Sequence, residues 1–145
     1  MADARAVTRS GPGRLLIAVY GIFVIAATAR SAVQIITRFD HAPVAYLLSA
    51  FAAAVYIVAT VCLTRGSRTS RRIATLSCLI ELAGVLTVGT VSLLVPQAFP
   101  DATVWSEYGK GYGFVPVILP ILGLLWLRAT AKAASTDTEA PTGAP

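Results

Sequence analysis

The sequence has few charged residues and a single histidine. Charged side chains make up 13% of the 145 residues, against about 25% in an average soluble domain. A hydrophobic fraction of 56% and a mean hydropathy of +0.72 accompany this shortage, and together they indicate lipid as the main solvent. With only His41, the chain can build neither a histidine-based triad nor a multi-histidine metal site.

Other catalytic signatures are also missing. No paired carboxylates occur in the apolar stretches, and no glycine-rich phosphate loop precedes a Lys-Ser or Lys-Thr pair. Asp40 and His41 are adjacent, but their place in a short turn predicts a structural role. We therefore expect no enzymatic activity and no bound cofactor or metal.

Cysteine is scarce as well. Cys62 and Cys78 are not spaced as a C-x-x-C pair, and both are expected near the cytoplasmic ends of neighbouring helices. Because that compartment is reducing, two free thiols are predicted rather than a disulfide. Each cysteine is interpreted as a small apolar packing residue.

Four long apolar stretches dominate what is present. A membrane-spanning helix needs about 20 mostly apolar residues, and such stretches occur at about residues 15–36, 44–64, 73–95 and 113–127. They predict an all-α, up-down-up-down four-helix transmembrane bundle over residues 15–128. Residues 1–14, with a Gly-Pro-Gly break at 11–13, are predicted to be a basic cytoplasmic arm. Residues 129–145 are predicted to be a disordered cytoplasmic tail.

Basic residues set the expected orientation. Nine Lys and Arg residues flank one side of the predicted spans and three flank the other. The positive-inside rule then places both termini in the cytoplasm and the protein in the plasma membrane. The net charge of +5 is explained by these border residues, which meet lipid headgroups, so nucleic acid is not an expected partner.

The first span has a second interpretation. Three arginines, an apolar stretch and Ala27-Thr28-Ala29 together resemble a secretory signal peptide with its cleavage site. Cleavage would leave Arg30 as the first residue and three spans. The apolar pattern continues to Ile36, which favours an intact first span.

Two charged residues lie within the predicted spans. Arg30 and Glu81 each cost roughly 2.5 to 3.5 kcal/mol at membrane depth on insertion scales, and such residues mark function or pairing. Their predicted depths differ by roughly 9 Å, so an ion pair would be stretched. In the alternative, Arg30 extends to the headgroups and Glu81 bonds to a hydroxyl such as Ser77 or Thr60, or stays protonated. Gln34 lies one turn from Arg30 and extends a polar stripe.

Small residues follow Glu81 along the third span. Gly84, Gly89 and Ser92 are typical of close helix approach in membranes. The third helix is therefore predicted to be the packing centre of the bundle.

The longest loop, at about residues 97–112, is rich in glycine and aromatic residues. Its Gly-Tyr-Gly at 111–113 matches potassium-channel filters, but the preceding pore helix and Thr-Val pair are missing, which favours a glycine-rich turn. The aromatic residues predict an interfacial belt. The candidate outer interaction segment comprises Trp105, Glu107, Tyr108, Lys110 and Tyr112.

Three stretches carry a resemblance. Residues 29–34 (ARSAVQ), 42–46 (APVAY) and 101–128 (DATVWSEYGKGYGFVPVILPILGLLWLR) resemble small uncharacterised four-helix integral membrane proteins of actinobacteria. The resemblance implies no activity, substrate or cofactor.

Two functions remain open. The first is a small accessory or interaction subunit, whose partners are the lipid bilayer and other membrane proteins or further copies of the chain. The second is a small oligomeric transporter with Glu81 as its proton- or cation-coupling site. A transporter requires a water-accessible cavity that reaches Glu81, whereas an accessory subunit requires a packed interior and an outward contact patch.

Overall fold

The computed structural model describes residues 11–139, with side chains through residue 133. Four long helices make up most of this part of the chain, and it contains no β-strand. They are α1 (Gly11–Arg38), α2 (Pro43–Arg65), α3 (Arg68–Leu94) and α4 (Val115–Glu139). Short 3-10 helices occur at Phe39–His41, Pro96–Ala98 and Ser106–Tyr112. The predicted all-α four-helix bundle is confirmed.

All four helices are long and apolar enough to cross a membrane. The candidate spans are Gly11–His41, Pro43–Arg65, Arg68–Leu94 and Val115–Ala133. Large apolar side chains cover the outside of the bundle; Ile25 is 72% exposed and Ile36 is 81% exposed. Such a surface is unfavourable in water and suits hydrocarbon, so the chain has the make-up of a multi-pass membrane protein.

The helices are arranged as a square. Each helix packs against the next in sequence, and α1 also contacts α4, while α1 and α3 lie on one diagonal and α2 and α4 on the other. The α2–α3 connection shows how the sequence produces the antiparallel pairing. Gly66 adopts a left-handed φ of 67° that ends α2, and the Ser67 side chain accepts a hydrogen bond from the Ser70 N–H to begin α3.

Two ends of the bundle can be distinguished. The hairpin end is where Gly66 and Ser67 connect α2 and α3, and the segment end is where α1 and α3 finish. At the hairpin end, Arg71 of α3 donates to the Leu127 carbonyl oxygen (2.8 Å) and to the Thr130 hydroxyl of α4. Its guanidinium carbon also lies 5.7 Å from the ring centroid of Trp126. These contacts join α3 to α4 near the predicted membrane border.

Two predicted boundaries were wrong. Residues 11–14 already belong to helix α1 instead of the predicted arm. Helix α4 continues to Glu139, so residues 129–139 are helical rather than disordered; this stretch contains four alanines, the strongest helix formers. Residues 1–10 and 140–145 of the predicted arm and tail lie outside the described residues.

Helix α3 is the packing centre that its small residues predict. It contacts α2, α4 and the 3-10 segment that precedes α4. Its buried residues recur at helical spacing along one face, which turns toward the interior of the bundle. They are Ser70, Ala74, Ser77, Cys78, Glu81, Val85, Val88 and Gly89.

Candidate functional site

Glu81 lies at the midpoint of α3, thirteen positions after Arg68 and thirteen before Leu94. At 1.5 Å per residue it is about 20 Å from each end of the helix. Its exposure is 0%. Its Oε2 accepts a hydrogen bond of 3.0 Å, whereas its Oε1 is buried and has no hydrogen-bond partner among the described residues.

The donor to Glu81 is the hydroxyl of Tyr20, which reaches across the diagonal from α1. The same hydroxyl lies 3.3 Å from the Cys78 Sγ, one turn before Glu81 on α3. On the α4 side, a Cβ on Gly123 would lie 2.9 Å from that sulfur and 3.3 Å from the tyrosine oxygen. Helix α4 can therefore approach this polar cluster closely only because residue 123 has no side chain.

Glu81 bonds to a hydroxyl, as the sequence predicts, but the hydroxyl belongs to Tyr20 and not to Ser77 or Thr60. Ser77 donates instead to the Ile73 carbonyl, and Thr60 donates to the Tyr56 carbonyl, each four residues back on its own helix. Serine and threonine often satisfy their hydroxyls in this way within helices. The cysteines follow the prediction, since both thiols are free and buried.

Arg30 does not pair with Glu81, so that alternative is wrong. Its Nη1 donates to the Tyr112 hydroxyl at 2.7 Å, and its Nη2 lies 3.4 Å from the Ala102 carbonyl oxygen. The guanidinium carbon is 5.8 Å from the Tyr112 ring centroid. Arg30 is thus half-buried and holds the connection between α3 and α4, instead of extending freely to the headgroups.

Depth explains why the pair does not form. Arg30 lies eight positions before the end of α1 at Arg38, or about 12 Å from the segment end, against about 20 Å for Glu81. The closer Tyr112 and Ala102 satisfy the guanidinium instead. Gln34, one turn further out, is half-buried, and its Oε1 has no partner among the described residues. Neither residue is brought to Glu81.

The connection before α4 enters the bundle. Residues 103–112, which we call the inserted segment, place Trp105 in the core with only 2% of its surface exposed. Its indole ring lies on Gly84, where a Cβ would approach ring carbons to between 2.5 and 2.9 Å. Gly84 lies ten positions before Leu94, so the indole reaches about 15 Å below the end of α3. The prediction that Trp105 belongs to an outer aromatic belt was wrong.

Trp105 is bound on its other side by α2. Its Nε1 donates to the Tyr56 hydroxyl at 3.0 Å, and its ring meets that of Phe51 edge-on at 6.2 Å between centroids. Tyr56 in turn packs edge-on against Tyr20, the donor to Glu81, with 6.3 Å between ring centroids. A continuous chain of contacts therefore runs from the inserted segment to the buried carboxyl.

A second aromatic residue of the segment fits a second glycine. A Cβ on Gly89 would lie 2.4 Å from the Tyr108 ring and 2.8 Å from the Tyr108 backbone nitrogen. The Tyr108 hydroxyl is 2.8 Å from the Thr90 hydroxyl, and the Glu107 N–H donates to the Ser92 side chain at 2.7 Å. Gly84 and Gly89 thus create the two recesses that receive the inserted segment.

Side-chain hydroxyls satisfy the backbone of the inserted segment. Thr103 N–H donates to the Ser106 side chain (2.9 Å), and Trp105 N–H donates to the Thr103 side chain (3.1 Å). Non-helical backbone at membrane depth is tolerated only where it is buried in protein or lines a water-filled cavity. The hydroxyl residues before and after Trp105 satisfy two backbone N–H groups of the buried segment.

The glycine-rich turn predicted around residue 111 is present, but its backbone is unusual. Glu107, Tyr108 and Phe114 adopt left-handed φ values of 49°, 60° and 60°. Gly109 has a φ of 83° and lies so close to Pro116 that a Cβ would be 2.6 Å from its ring. Left-handed non-glycine residues cost roughly 1–3 kcal/mol each and persist where surrounding contacts hold them.

The five residues predicted as an outer interaction segment therefore separate into groups. Lys110 and Glu107 lie outward, 3.4 Å apart, with side chains 69% and 46% exposed. Tyr108 is half-buried against α3, Tyr112 is half-buried beneath Arg30, and Trp105 is in the core. Only the Glu107–Lys110 tip is available as a contact surface.

Two site residues were missed by sequence reasoning. Tyr20 and Tyr56 stand within apolar stretches, and a phenol buried in such a stretch generally finds a hydrogen-bond partner. That requirement is the feature of the sequence from which both residues could have been predicted as part of a buried polar site. Tyr46, whose hydroxyl donates to Asp101 at 2.9 Å, follows the same rule and fastens the start of α2 to the connection before α4.

Searches against protein families, curated proteins and solved structures find no match for this chain. The chemistry must therefore be inferred from the site itself. Within residues 11–133, whose side chains the structure describes, no three His, Cys, Asp or Glu side chains are grouped so that they could hold a metal ion. The cluster offers one carboxyl, two phenols and one thiol, which suit hydrogen bonding and the holding of a proton.

Proposed function

We propose that this chain is a small accessory or interaction subunit of the plasma membrane, with both termini in the cytoplasm. The supporting observation is its filled interior. Trp105 and the inserted segment occupy the space on the segment side of Glu81, whose exposure is 0%. A bundle filled by its own side chains acts on other molecules through its surface.

The segment end supplies a surface with suitable chemistry. The Glu107–Lys110 tip projects there, and Phe114 beside it is 47% exposed. A groove of about 460 Å³ lies at the same end, lined by residues 36–41, which include Arg38, Asp40 and His41. Aromatic residues and arginine are enriched at protein interfaces, and the rim of an interface is polar. Phe114 and Arg38, with the charged tip beside them, therefore favour a protein partner that contacts this end at the membrane border.

A photo-crosslinking amino acid at position 110 tests this proposal in native membranes. We expect it to capture a specific membrane protein, identified by mass spectrometry after purification in mild detergent. The matched control carries the crosslinker at Leu76, which is 58% exposed on α3 near the hairpin end. If position 110 gave only lipid adducts, or if both positions captured the same mixture, the accessory role would be rejected.

The proposed orientation rests on the basic residues of the hairpin end, where Arg65, Arg68 and Arg72 are exposed. Reporter fusions after Lys132 should indicate the cytoplasm, and fusions within residues 98–102 should indicate the exterior. The reverse pattern would contradict the assignment of the termini.

One observation favours the transporter alternative. The Oε1 of Glu81 is buried without a partner among the described residues, and an unsatisfied polar atom in a membrane bundle is a functional candidate. Reconstituted vesicles containing wild type or Glu81→Gln distinguish the two functions. If the wild type carries a proton flux across the vesicle membrane that Glu81→Gln abolishes, the chain is a transporter. If the proton flux is negligible in both, the accessory subunit is supported.

A further inference from the structure

The two directions out of the Glu81 cluster are closed by different kinds of structure. Toward the hairpin end lies a layer of buried side chains carried on the helices themselves, including Leu16, Leu63, Ala74 and Leu127. Displacing this layer would require the helices to separate. Toward the segment end, the cluster is covered by the non-helical inserted segment.

The inserted segment is attached by packing as well as by hydrogen bonds. Its Val104 and Trp105 pack in the core, and its side-chain bonds to the helices are Trp105–Tyr56, Glu107–Ser92, Tyr108–Thr90 and Arg30–Tyr112. Two of its residues, Glu107 and Tyr108, also have left-handed backbones, which cost free energy. Unlike the hairpin layer, the segment is not carried on a regular α-helix, so it can move without separating the four helices. Local opening is easiest in such connecting segments, and the inserted segment is therefore the part of the barrier that opens most readily.

The cluster itself favours a bound proton. Glu81 accepts from Tyr20 of α1, and Cys78 of its own helix, Tyr56 of α2 and Gly123 of α4 all pack around that tyrosine. None of these residues carries a positive charge. An ionised carboxylate with a single hydrogen-bond donor is very unfavourable at this depth, whereas the neutral acid is tolerated. Oε2 accepts the Tyr20 hydroxyl, so the proton is placed on the unpartnered Oε1.

We propose that Glu81 is a proton-binding site that exchanges with water at the segment end when the inserted segment is displaced. In the exchange, the O–H bond of Glu81 breaks and its proton passes to an entering water molecule, which leaves a carboxylate and a hydronium ion; the reverse step restores the acid. This site goes beyond the accessory role, because a proton-dependent position of the inserted segment would alter the surface offered to a partner.

A water-soluble carbodiimide reports this access. The Glu81 acid adds across a C=N bond: its oxygen bonds to the central carbon and its proton moves to a nitrogen. The O-acylisourea then rearranges to a stable N-acylurea by transfer of the acyl group from oxygen to nitrogen, and no group leaves. Peptide mass spectrometry of the purified protein in detergent distinguishes the Glu81 adduct from adducts on the exposed acids. Glu81→Gln should give none at this position.

Gly84→Ala is the decisive variant, because it displaces the Trp105 ring without removing an atom from the barrier. The added Cβ would lie 2.5 Å from the indole, so the ring must move. Gly21→Ala is its matched control, since a Cβ there meets nothing within 4 Å. We expect Gly84→Ala to raise the rate of Glu81 labelling about tenfold or more over wild type, and Gly21→Ala to leave it unchanged.

Two further variants keep the test decisive. Trp105→Phe removes the donor to Tyr56 and part of the indole volume, and it should also accelerate labelling if Gly84→Ala fails to fold. Leu63→Ala loosens the hairpin side of the barrier and should not accelerate labelling in a bundle that stays monodisperse. Equal acceleration by Leu63→Ala, or no acceleration by either segment variant, would overturn the proposal. The accessory role could still hold in that case, because crosslinking from position 110 tests it separately.

Discussion

The hydrogen bond between Tyr20 and Glu81 is open to a direct energetic test. Glu81→Leu would leave the buried Tyr20 hydroxyl with only the Cys78 sulfur, a weak acceptor, at 3.3 Å. Tyr20→Phe would leave both oxygens of Glu81 without a partner. Each single change therefore removes a bond and strands a polar group, whereas the double change Tyr20→Phe/Glu81→Leu strands none.

The expected magnitude follows from the environment. Stranding a buried neutral polar group costs about 1–3 kcal/mol, and replacing both partners with apolar groups can be nearly neutral. Measured couplings across membrane helices average about 0.6 kcal/mol and reach about 1.7 kcal/mol. Since both residues are completely buried and the bond is 3.0 Å long, we expect a coupling of about 1 kcal/mol. The double variant should be less destabilised than the sum of the singles.

Reversible unfolding in mixed micelles, followed as the mole fraction of sodium dodecyl sulfate increases, provides the four free energies of unfolding. A control cycle pairs Tyr20→Phe with Leu125→Ala, which lies on the outer surface of α4 and should give additive effects. A Tyr20–Glu81 coupling no larger than that of the control cycle would show that the bond contributes nothing to the folded bundle. That result would refute the role of Tyr20 as the partner that stabilises Glu81.

Three further outcomes are expected. Gly89→Ala should lower the midpoint of thermal unfolding, because its Cβ would lie 2.4 Å from the Tyr108 ring. Gly111→Ala, whose Cβ would meet nothing within 4 Å, should leave the midpoint unchanged, and equal midpoints for the two variants would contradict the packing of Tyr108. Arg30→Gln should speed amide hydrogen exchange in residues 99–114 through loss of the Tyr112 and Ala102 contacts, with unchanged exchange as the contrary result. Cys78, which is completely buried, should react with maleimide much more slowly in the native protein than after unfolding, and equal rates would be inconsistent with this burial.

The helices could be predicted from the sequence because membrane insertion imposes a simple requirement on it. A helix that crosses hydrocarbon must be apolar over about 20 residues, and this local condition holds for each of the four stretches. The failures at Gly11–Pro12 and at residues 129–139 concern helix ends, where a few tenths of a kcal/mol per residue decide whether the helix continues. Those differences are too small for composition alone to settle.

The inserted segment could not be predicted in the same way. Trp105 and Tyr108 in a loop beside a span match the composition of an interfacial belt, and nothing local separates a belt from a core residue. What decides their position is the pair of recesses at Gly84 and Gly89, on a different helix. The sequence predicts close approach at those glycines, which is observed, but it predicts another helix as the approaching partner.

The departures from regular structure are unevenly distributed between the two ends of the bundle. At the hairpin end, apart from one Arg71 nitrogen, the described side chains form a conventional packed bundle. The unpartnered atoms of Gln34, Ser49 and Glu81 all lie between the midpoint of the bundle and the segment end. The left-handed residues of the connection before α4 lie in the same half. Well-packed apolar residues could replace such polar groups at equal or greater stability, so stability alone does not account for them. Strain and unsatisfied groups concentrate at functional sites, which supports our proposal that the half containing Glu81 and the inserted segment is the working part of the molecule.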